Sequence, residues 1–178
     1  MNLISHLHDK IDTAGLWEDY PELSRNEHLK VRGSTDTRLY YVVSGTLRVY
    51  VIDEFEEHTI RFGYQGSIIA ALDSFITGKP SDFYIQALKK TELKMIPKTT
   101  YMEFVQSNAE NLQLWHDILE QMVYQQMERE RDLLTSSPLE RYERVLKRSP
   151  QLFQEVPHKY IASYLRMTPE TLSRIKKS

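Results

Sequence analysis

The 178-residue sequence contains no cysteine. This absence excludes disulfides, thiolate zinc sites, cysteine-ligated iron–sulfur clusters and a cysteine nucleophile. No stretch reaches the roughly 20 consecutive apolar residues that a membrane-spanning helix needs. The N-terminal segment also lacks the basic start and apolar run of a signal peptide. We therefore expect a cytoplasmic protein without a membrane partner.

The motifs of several common enzyme classes are missing as well. The chain has no GxxxxGK[ST], GxGxxG or GxSxG pattern, so P-loop hydrolysis, dinucleotide binding and nucleophile-elbow hydrolysis lack their motifs. The six histidines form no HExxH arrangement and no carboxylate spacing typical of a metal site. A cupin-type enzyme would need clustered metal ligands, and His58 is the single histidine on a predicted strand. We predict no catalytic residue, no metal site and no enzyme activity.

The sequence PHKYIASYLRMTPETLSRIKK near the C-terminus has the layout of a helix-turn-helix. Its turn falls at Arg166 and Met167. Thr168 suits the N-cap and Pro169 the first helical position of the second helix. Such a helix, apolar on one side and polar on the other, fits the major groove of DNA. The residues predicted to contact DNA are Thr168, Glu170, Thr171, Arg174 and Lys177.

Charge is distributed unevenly along the chain. Residues 137–178 carry nine Lys or Arg against four acids, a net +5, and because the whole chain is −2, residues 1–136 carry −7. Cations beside the second helix can neutralise DNA phosphates, whereas the acidic remainder does not favour contact with DNA. A double-stranded DNA operator is therefore the expected partner, although two short amphipathic helices also occur as purely structural elements.

Residues 29–96 show the alternating pattern of β-strands, with a turn at Ser44-Gly45 and a charged turn at 53–57. Short strands at spacings of about 8–12 residues predict a small antiparallel barrel or sandwich. Residues 3–24 are predicted to be helical, interrupted by Gly15 and Pro21. Residues 74–81 are expected to be irregular. The predicted strands are 39–43, 46–52, 59–64, 68–70, 83–87 and 93–96.

Residues 98–135 contain no Pro or Gly, which favours a short helix followed by a long one. The apolar spacing in the long helix is typical of a coiled-coil seam of about two heptads. The seam weakens at Gln126 and Arg129, and a hinge is expected at 136–138. We predict that two copies pair through this helix; the alternative is that it packs on its own β domain. The predicted dimer-interface residues are Leu112, Trp115, Leu119 and Met122.

The order of β-barrel, seam helix, hinge and helix-turn-helix resembles the Crp/Fnr family of bacterial transcription regulators. The resemblance rests on YVVSGTLRVY (41–50), on Gly66 and on YIASYLRMTPETLSRI (160–175), and RYERVLKRSPQLFQEVPHKYIASYL is most similar to the Bacteroidetes branch. It implies an α+β fold: an antiparallel β-roll of the cyclic nucleotide-binding type, a long dimerisation helix and a C-terminal helix-turn-helix. The implied domain bounds are 1–104, 105–136 and 137–178.

The resemblance also implies a function. Members of the family are dimers that bind an operator, respond to a small-molecule effector and have RNA polymerase as a further partner. Glu170 and Arg174 match the family's base-contacting Glu and Arg, one helical turn apart. Arg174 would make a bidentate contact to guanine, and Glu170 would accept a hydrogen bond from cytosine N4. The effector cannot be named from the sequence.

Two departures from the family pattern argue against cyclic AMP as that effector. In the family's cyclic-nucleotide binders a Glu follows the cassette glycine, and an Arg before the next strand holds the phosphate. Here Ser67 follows Gly66, and residues 79–83 offer Pro, Ser and Asp instead of Arg, which would leave a buried phosphate uncompensated. A different anion is the remaining expectation. The candidate ligand-binding residues are Arg61, Gly66, Ser67, Ile68, Lys79, Ser81 and Asp82.

A second function is left open by Arg166, which stands where the family has a Gly in the turn. The left-handed conformation costs a non-glycine residue about 1–2 kcal/mol. The sequence also ends at Ser178 without a β-wing. The alternative is therefore a ligand-binding or protein-interaction module whose helix-turn-helix does not bind DNA.

Overall fold

The computed structural model describes residues 2–177, so positions 1 and 178 of the predicted domain bounds lie outside the described residues. Strands and helices occupy separate parts of the chain, apart from an N-terminal helix and a short helix between strands. The strands are β1 (Glu18–Leu23), β2 (His28–Lys30), β3 (Leu39–Ser44), β4 (Thr46–Asp53), β5 (Glu56–Tyr64), β6 (Ile68–Ile69), β7 (Tyr84–Ala87) and β8 (Thr91–Ile96). The helices are α1 (Leu3–Thr13), α2 (Leu72–Thr77), α3 (Lys98–Gln106), α4 (Ala109–Leu134), α5 (Pro138–Arg148), α6 (Pro150–Glu155), α7 (His158–Tyr164) and α8 (Pro169–Ile175).

The strands form two four-stranded sheets, in the orders β1-β8-β3-β6 and β2-β7-β4-β5. All of the pairings are antiparallel. Residues from both sheets share one apolar core, because alternate side chains of each strand point to the same face. The six strands and the antiparallel arrangement predicted from the sequence are confirmed. Core residues include Tyr40, Val42, Leu47, Ile69 and Ile85.

Gly45 lies where the chain passes from the first sheet to the second. Its φ is +100°, a left-handed value that favours glycine. A Cβ at this position would lie 2.3 Å from the Thr91 hydroxyl oxygen. The predicted turn is therefore a tight corner that no other residue fits without displacing β8.

One helical prediction is wrong, because residues 18–23 form β1. Its outer position explains how it tolerates Pro21: an edge strand has a free side on which a missing N–H costs no ladder bond. The pairing with β8 is irregular between Tyr20 and Leu23, around this proline. Backbone pairing with a distant strand outweighed the local apolar spacing that favoured a helix.

Two turns also differ from the prediction. The charged turn expected at 53–57 is reduced to Glu54 and Phe55, both with positive φ, because β4 and β5 extend to Asp53 and Glu56. The segment expected to be irregular contains the end of α2, which closes at Gly78 in a left-handed conformation.

The short and long helices predicted after Pro97 are confirmed as α3 and α4. The Asn108 side chain caps α4 by accepting a hydrogen bond from the Asn111 N–H at 2.9 Å. Leu114 and Ile118 of α4 are buried in a second core with α1, α3 and Phe75. No helix within residues 2–177 is long and apolar enough to cross a membrane.

The C-terminal helices form a third core that is continuous with the β-roll. At the predicted hinge the chain leaves α4 after Leu134 and begins α5 at Pro138, where the Ser137 side chain caps the helix. Leu88 belongs to the core of these helices, and Phe62 of β5 packs against it. The α5–α8 helices therefore lie directly on the strands.

Candidate functional site

The C-terminal helix pair, α7 and α8, is joined by a tight turn. Arg166 has a φ of +54°, so the left-handed turn expected at this position is present without glycine. The Met167 N–H donates to the Ala162 carbonyl at 3.1 Å and closes the end of α7. On the other side of Met167 the Thr168 side chain caps α8 by accepting from the Thr171 N–H at 3.2 Å. The predicted cap and Pro169 at the helix start are confirmed.

The apolar side of α8 anchors the pair. Leu172 is fully buried together with Ile161 and Leu165 of α7 and its C-cap. The opposite edge of α8 faces solvent, since residues 170, 174 and 177 recur at helical spacing. Of the five residues predicted to contact DNA, Thr171 is partly buried, and the exposed ones are Thr168, Glu170, Arg174 and Lys177.

The exposed edge presents opposite charges one helical turn apart. Hydrogen bonds from its own backbone N–H and from the Thr168 hydroxyl hold the pKa of the Glu170 carboxyl below its ordinary value. Glu170 is therefore an ionised acceptor at neutral pH. Arg174 lies beside it with an exposed guanidinium and lowers that pKa further.

Part of the positive charge counted in the sequence is neutralised within the chain. Arg144 pairs with Asp132 at 2.9 Å and with Glu128 at 3.2 Å, both on α4. Arg148 pairs with the same two carboxylates. These arginines join α5 to the long helix and are not available to an outside anion. The cations that remain exposed near α8 include Lys159, Arg174, Lys176 and Lys177.

The helix pair is docked on β5, which is the outer strand of its sheet. The Ser163 hydroxyl accepts a hydrogen bond from the Thr59 N–H and donates one to the Glu57 carbonyl, both at 3.1 Å. Arg166 and His58 are in contact through side-chain nitrogens 3.2 Å apart. Helix α7 thus satisfies groups that an edge strand leaves unpaired.

Arg48 of β4 reinforces this docking. Its side chain is 2% exposed, and its guanidinium carbon lies 3.9 Å from the Tyr50 ring centre and 4.2 Å from that of Tyr160 on α7. The same guanidinium donates to Glu57 at 2.6 Å. Cation–π contacts of this kind are worth up to about 2 kcal/mol when desolvated. The sequence placed Arg48 only in a strand motif and gave no signal for this role.

The structure does not bring all seven candidate ligand residues together. Arg61, Gly66, Ser67 and Ile68 line one cavity, described below, whereas Lys79, Ser81 and Asp82 do not. Gly66 and Ser67 belong to the turn before β6, and α2 follows only at Leu72 after two alanines. We call residues 66–83, which include α2, the cassette. Its residues before α2 carry no carboxylate for a ribose hydroxyl.

The family's phosphate-binding arginine would lie in residues 79–83. In this chain the hydrogen-bond donors of that segment are already bound to a carboxylate of the same chain. Asp73 on α2 accepts from the Ser81 hydroxyl at 2.8 Å and from the Asp82 N–H at 2.9 Å. It also accepts from the Ser74 N–H at 2.8 Å. Lys79 is exposed, so it does not add a cation to this cluster. Because these donors already bind Asp73, they are not available to a second anion.

The apolar interior of the β-roll includes one buried tyrosine that is hydrogen-bonded to a buried aspartate. Tyr40 is 1% exposed, and its hydroxyl donates to Asp36 at 2.7 Å. Burial raises the pKa of the Asp36 carboxyl, but hydrogen bonds from Arg38 and Tyr40 outweigh burial and lower it overall. Burial and the Asp36 charge raise the pKa of Tyr40. This network takes up volume inside the sandwich.

The predicted seam of α4 divides between two faces. Trp115 and Met122 pack against the chain's own second core, as the alternative interpretation expected. Leu112 and Leu119 are 40% and 37% exposed. They begin an apolar stripe along the outer face of α4, defined here as Leu112, Leu119, Val123, Met127 and Leu134.

A cavity of about 730 Å³ lies between β5, β6, α1, α4 and the C-terminal helices. We call it the junction cavity, because strands β5 and β6, the long helix and the helix pair all contribute to its wall. Its polar lining includes Arg129, which the sequence treated only as a break in the seam. A charged residue at a position where apolar residues are expected was the signal that could have identified it.

Arg129 connects α4 to the helix pair. Its Nη2 donates to the Tyr164 carbonyl at 2.5 Å, and its guanidinium carbon lies 3.6 Å from the Tyr164 ring centre. Burial lowers the pKa of Arg129. Its Nη1 is buried and has no hydrogen-bond partner among residues 2–177.

These features can be compared with known proteins. One matched segment contains β2 to β8, the end of β1, the short helix α2 between β6 and β7 and the following helix α3. Residues 21–108 match the family model of the cyclic nucleotide-binding domain. The matched segment covers most of the β-roll, while the junction cavity also uses elements outside it. A search of curated proteins found no match.

Solved structures extend the likeness beyond this domain. A CooA variant from Carboxydothermus hydrogenoformans has a TM-score of 0.76 at 17% identity, covering 99% of this chain and 83% of its own. The c-di-GMP responsive global regulator CLP from Xanthomonas campestris has 0.67 at 14% identity, covering 96% and 90%. A CRP-family transcriptional regulator from Thermus thermophilus has 0.64 at 17%, covering 89% and 83%. At these identities the likeness establishes the fold, with structural neighbours in the Crp/Fnr regulators.

Proposed function

We propose that the protein is a dimeric DNA-binding transcription regulator in which the C-terminal helix pair is a helix-turn-helix that enters the major groove. The observation that carries this proposal is the α8 edge: Glu170 and Arg174 are exposed, while Leu172 on the opposite side is fully buried. A helix held by one side and free on its polar side has the geometry of direct base readout. The positive charge that would contact the DNA phosphates comes from the exposed cations around α8.

Dimerisation through α4 belongs to the same proposal. Each copy exposes the apolar stripe, and two stripes packed together would remove these side chains from water. Two helix pairs related by a two-fold axis would contact half-sites about 34 Å apart on an operator. In this proposal residues 1–104 form the sensor, 105–136 the dimer helix and 137–178 the DNA-binding part, with RNA polymerase as a further partner.

Regulation would act through the docking of the helix pair on β5. An effector that binds one orientation of the helix pair more tightly than another shifts the population of that orientation. The junction cavity supports this mechanism, because its wall contains Ile60 and Phe62 of β5, Met122 of α4 and Tyr164 of α7.

Gel-shift titration against genomic fragments, followed by selection from random duplexes, tests DNA binding. We expect an enriched palindromic sequence and an affinity that falls steeply with salt, because phosphate contacts release counterions. Absent binding at low ionic strength, or binding without salt dependence, would contradict the proposal. Arg174→Ala serves as the matched variant, since Arg174 is exposed and its loss should leave the fold intact.

A second candidate function is a ligand-binding or protein-interaction module that does not bind DNA. The observation that favours it is the attachment of α7 to β5 by Ser163 and Arg48, which fixes the helix pair on its own sensor. Random-duplex selection without any enriched sequence, together with retention of the dimer, would support this candidate over the first.

A further inference from the structure

The wall of the junction cavity carries positive charge only. Among its described lining residues there are three arginines, Arg61, Arg129 and Arg148, and no Asp, Glu or Lys. Arg148 is neutralised by its ion pairs with Glu128 and Asp132. The guanidinium of Arg61 has no hydrogen-bond or ion-pair partner among residues 2–177. The cavity therefore favours an anion.

Arg129 shows where the anion would bind. Its guanidinium is held against Tyr164 by the carbonyl bond and by ring stacking, so it is fixed in place. Its Nη1 remains buried without an acceptor. A buried donor without a partner costs about 1–3 kcal/mol, and a ligand oxygen at that atom would remove the cost.

The shape of the cavity argues for an elongated ligand. Trp115 and Arg129 both line it and lie fourteen positions apart on α4, which corresponds to about 21 Å along the helix axis. A volume of about 730 Å³ over that length is a channel rather than a round pocket. Away from the arginines the channel is mainly apolar, with Leu7, Ile60, Phe62, Ile68, Ile118 and Met122 in its wall.

We propose that the junction cavity binds a long-chain carboxylic acid, with its carboxylate at Arg129, Arg61 as a second cation of the wall and its hydrocarbon chain along α4 towards Trp115. A compact cyclic nucleotide matches neither the length nor the apolar wall. This inference names the chemical class of the effector. It rests on the proposed function only for the effect that the bound ligand has on DNA binding.

The proposed ligand and the proposed dimer contact use different faces of α4. The cavity side contains Ile118, Met122 and Arg129, and the apolar stripe contains Leu119 and Val123. At 100° per residue the two sets lie roughly 100° apart around the helix. A chain in the channel therefore leaves the stripe free. It also contacts the wall formed by α7, so occupancy changes the docking of the helix pair.

Trp115 provides a direct readout of binding. The chain has two tryptophans, so a Trp17→Phe background leaves Trp115 as the single emitter. The full chain is titrated with dodecanoate, and separately with dodecanol, dodecyltrimethylammonium and cyclic AMP. We expect a saturable change of Trp115 emission with dodecanoate, at least about tenfold weaker binding of the neutral alcohol, and no saturation with the other two.

Variants assign the anion contact. Arg61→Gln removes a cation that holds no other contact, so the fold should be kept while dodecanoate binds about tenfold more weakly. Arg131→Gln is the control, because Arg131 is exposed on the same helix and does not line the cavity. Arg129→Lys retains a charge but loses the stacked geometry, and should also weaken binding.

Several results overturn the inference. They are equal affinity for the acid and the alcohol, saturation by the cationic amphiphile, equal effects of Arg61→Gln and Arg131→Gln, or no saturable signal with acids of eight to sixteen carbons. Because these titrations contain no DNA, their failure leaves the proposed DNA binding standing. Conversely, if the protein binds dodecanoate but has no affinity for DNA, the proposed ligand site stands and the proposed function as a transcription regulator is contradicted.

Discussion

The hydroxyl of Ser163 donates a hydrogen bond to the carbonyl oxygen of Glu57, 3.1 Å away. It also accepts one from the Thr59 N–H. A single side chain of α7 thus joins the helix pair to β5, the edge strand of its sheet. The connection spans 106 positions of sequence.

Removing this hydroxyl should loosen the helix pair. In Ser163→Ala the Thr59 N–H loses its acceptor, which we expect to cost about 1 kcal/mol. Hydrogen exchange measured by mass spectrometry should show faster exchange in α7 and β5. Ser5→Ala, an exposed change on α1, should leave these segments unchanged. Equal exchange in both variants would show that the bridge does not hold the helix pair.

The apolar stripe of α4 should control oligomeric state. Val123 is 62% exposed, so Val123→Glu should not disturb the monomer core, but it would bury an unpaired carboxylate in the proposed dimer contact. Sedimentation equilibrium should show a weakening of self-association by at least about tenfold. Gln121→Glu adds the same charge at an exposed position on the opposite side of α4 and serves as the control. A monomeric wild-type chain would contradict the proposal directly.

Arg174 of α8 and Lys177, two positions beyond the end of the helix, should affect DNA binding differently. Arg174→Ala removes a base contact, so discrimination against a changed guanine should fall by about 1–3 kcal/mol. Lys177→Ala removes a phosphate contact, so affinity should fall for all sequences and the salt slope should decrease by about 1. Fluorescence anisotropy with matched and single-mismatch duplexes at several salt concentrations separates these outcomes. Identical profiles for the two variants would argue against base readout by Arg174.

The cassette should depend on Asp73. Asp73→Asn weakens acceptance from Ser81 and from the Asp82 N–H, and we expect a lower free energy of unfolding by about 1–3 kcal/mol. Asp82→Asn affects only an exposed pair with Arg32, worth at most about 1 kcal/mol. Urea unfolding of the two variants measures the difference. Similar small losses in both would mean that the Asp73 network is not important for the cassette.

The hydrogen bonds to Asp36 should make the free energy of unfolding depend on pH in the acid range. The pKa of the folded Asp36 carboxyl is lowered from 3.8, so its stabilising contribution is complete above that value. The contribution is lost as pH falls through the lower pKa of the folded state. Asp36→Asn should therefore cost about 1–3 kcal/mol at neutral pH, and the difference from wild type should shrink below pH 3.8.

Urea unfolding between neutral pH and the acid range measures this dependence. Asp19→Asn, an exposed change on β1, should show no comparable difference at neutral pH. If the difference in unfolding free energy between wild type and Asp36→Asn stays constant through the acid range, protonation of this carboxyl does not contribute to the pH dependence of stability.

Local sequence patterns were sufficient for most of the helices and strands. The alternation in β3 and β4, the Ser137 cap before Pro138 and the Thr168 cap before Pro169 are properties of neighbouring residues, and each of them is present in the structure. The same locality explains the error at β1, where a helical spacing was overruled by pairing with a strand about seventy positions away.

The sequence by itself determined the order of the elements, the turn at Arg166 and the polar edge of α8, because caps, turns and helical periodicity depend on adjacent residues. Only the tertiary structure decided that Asp73 fills the cassette, that Arg129 stacks on Tyr164 and that a channel lies along α4. Those features depend on distances between residues far apart in the chain. Packing of whole elements fixes such distances, and no local pattern records them.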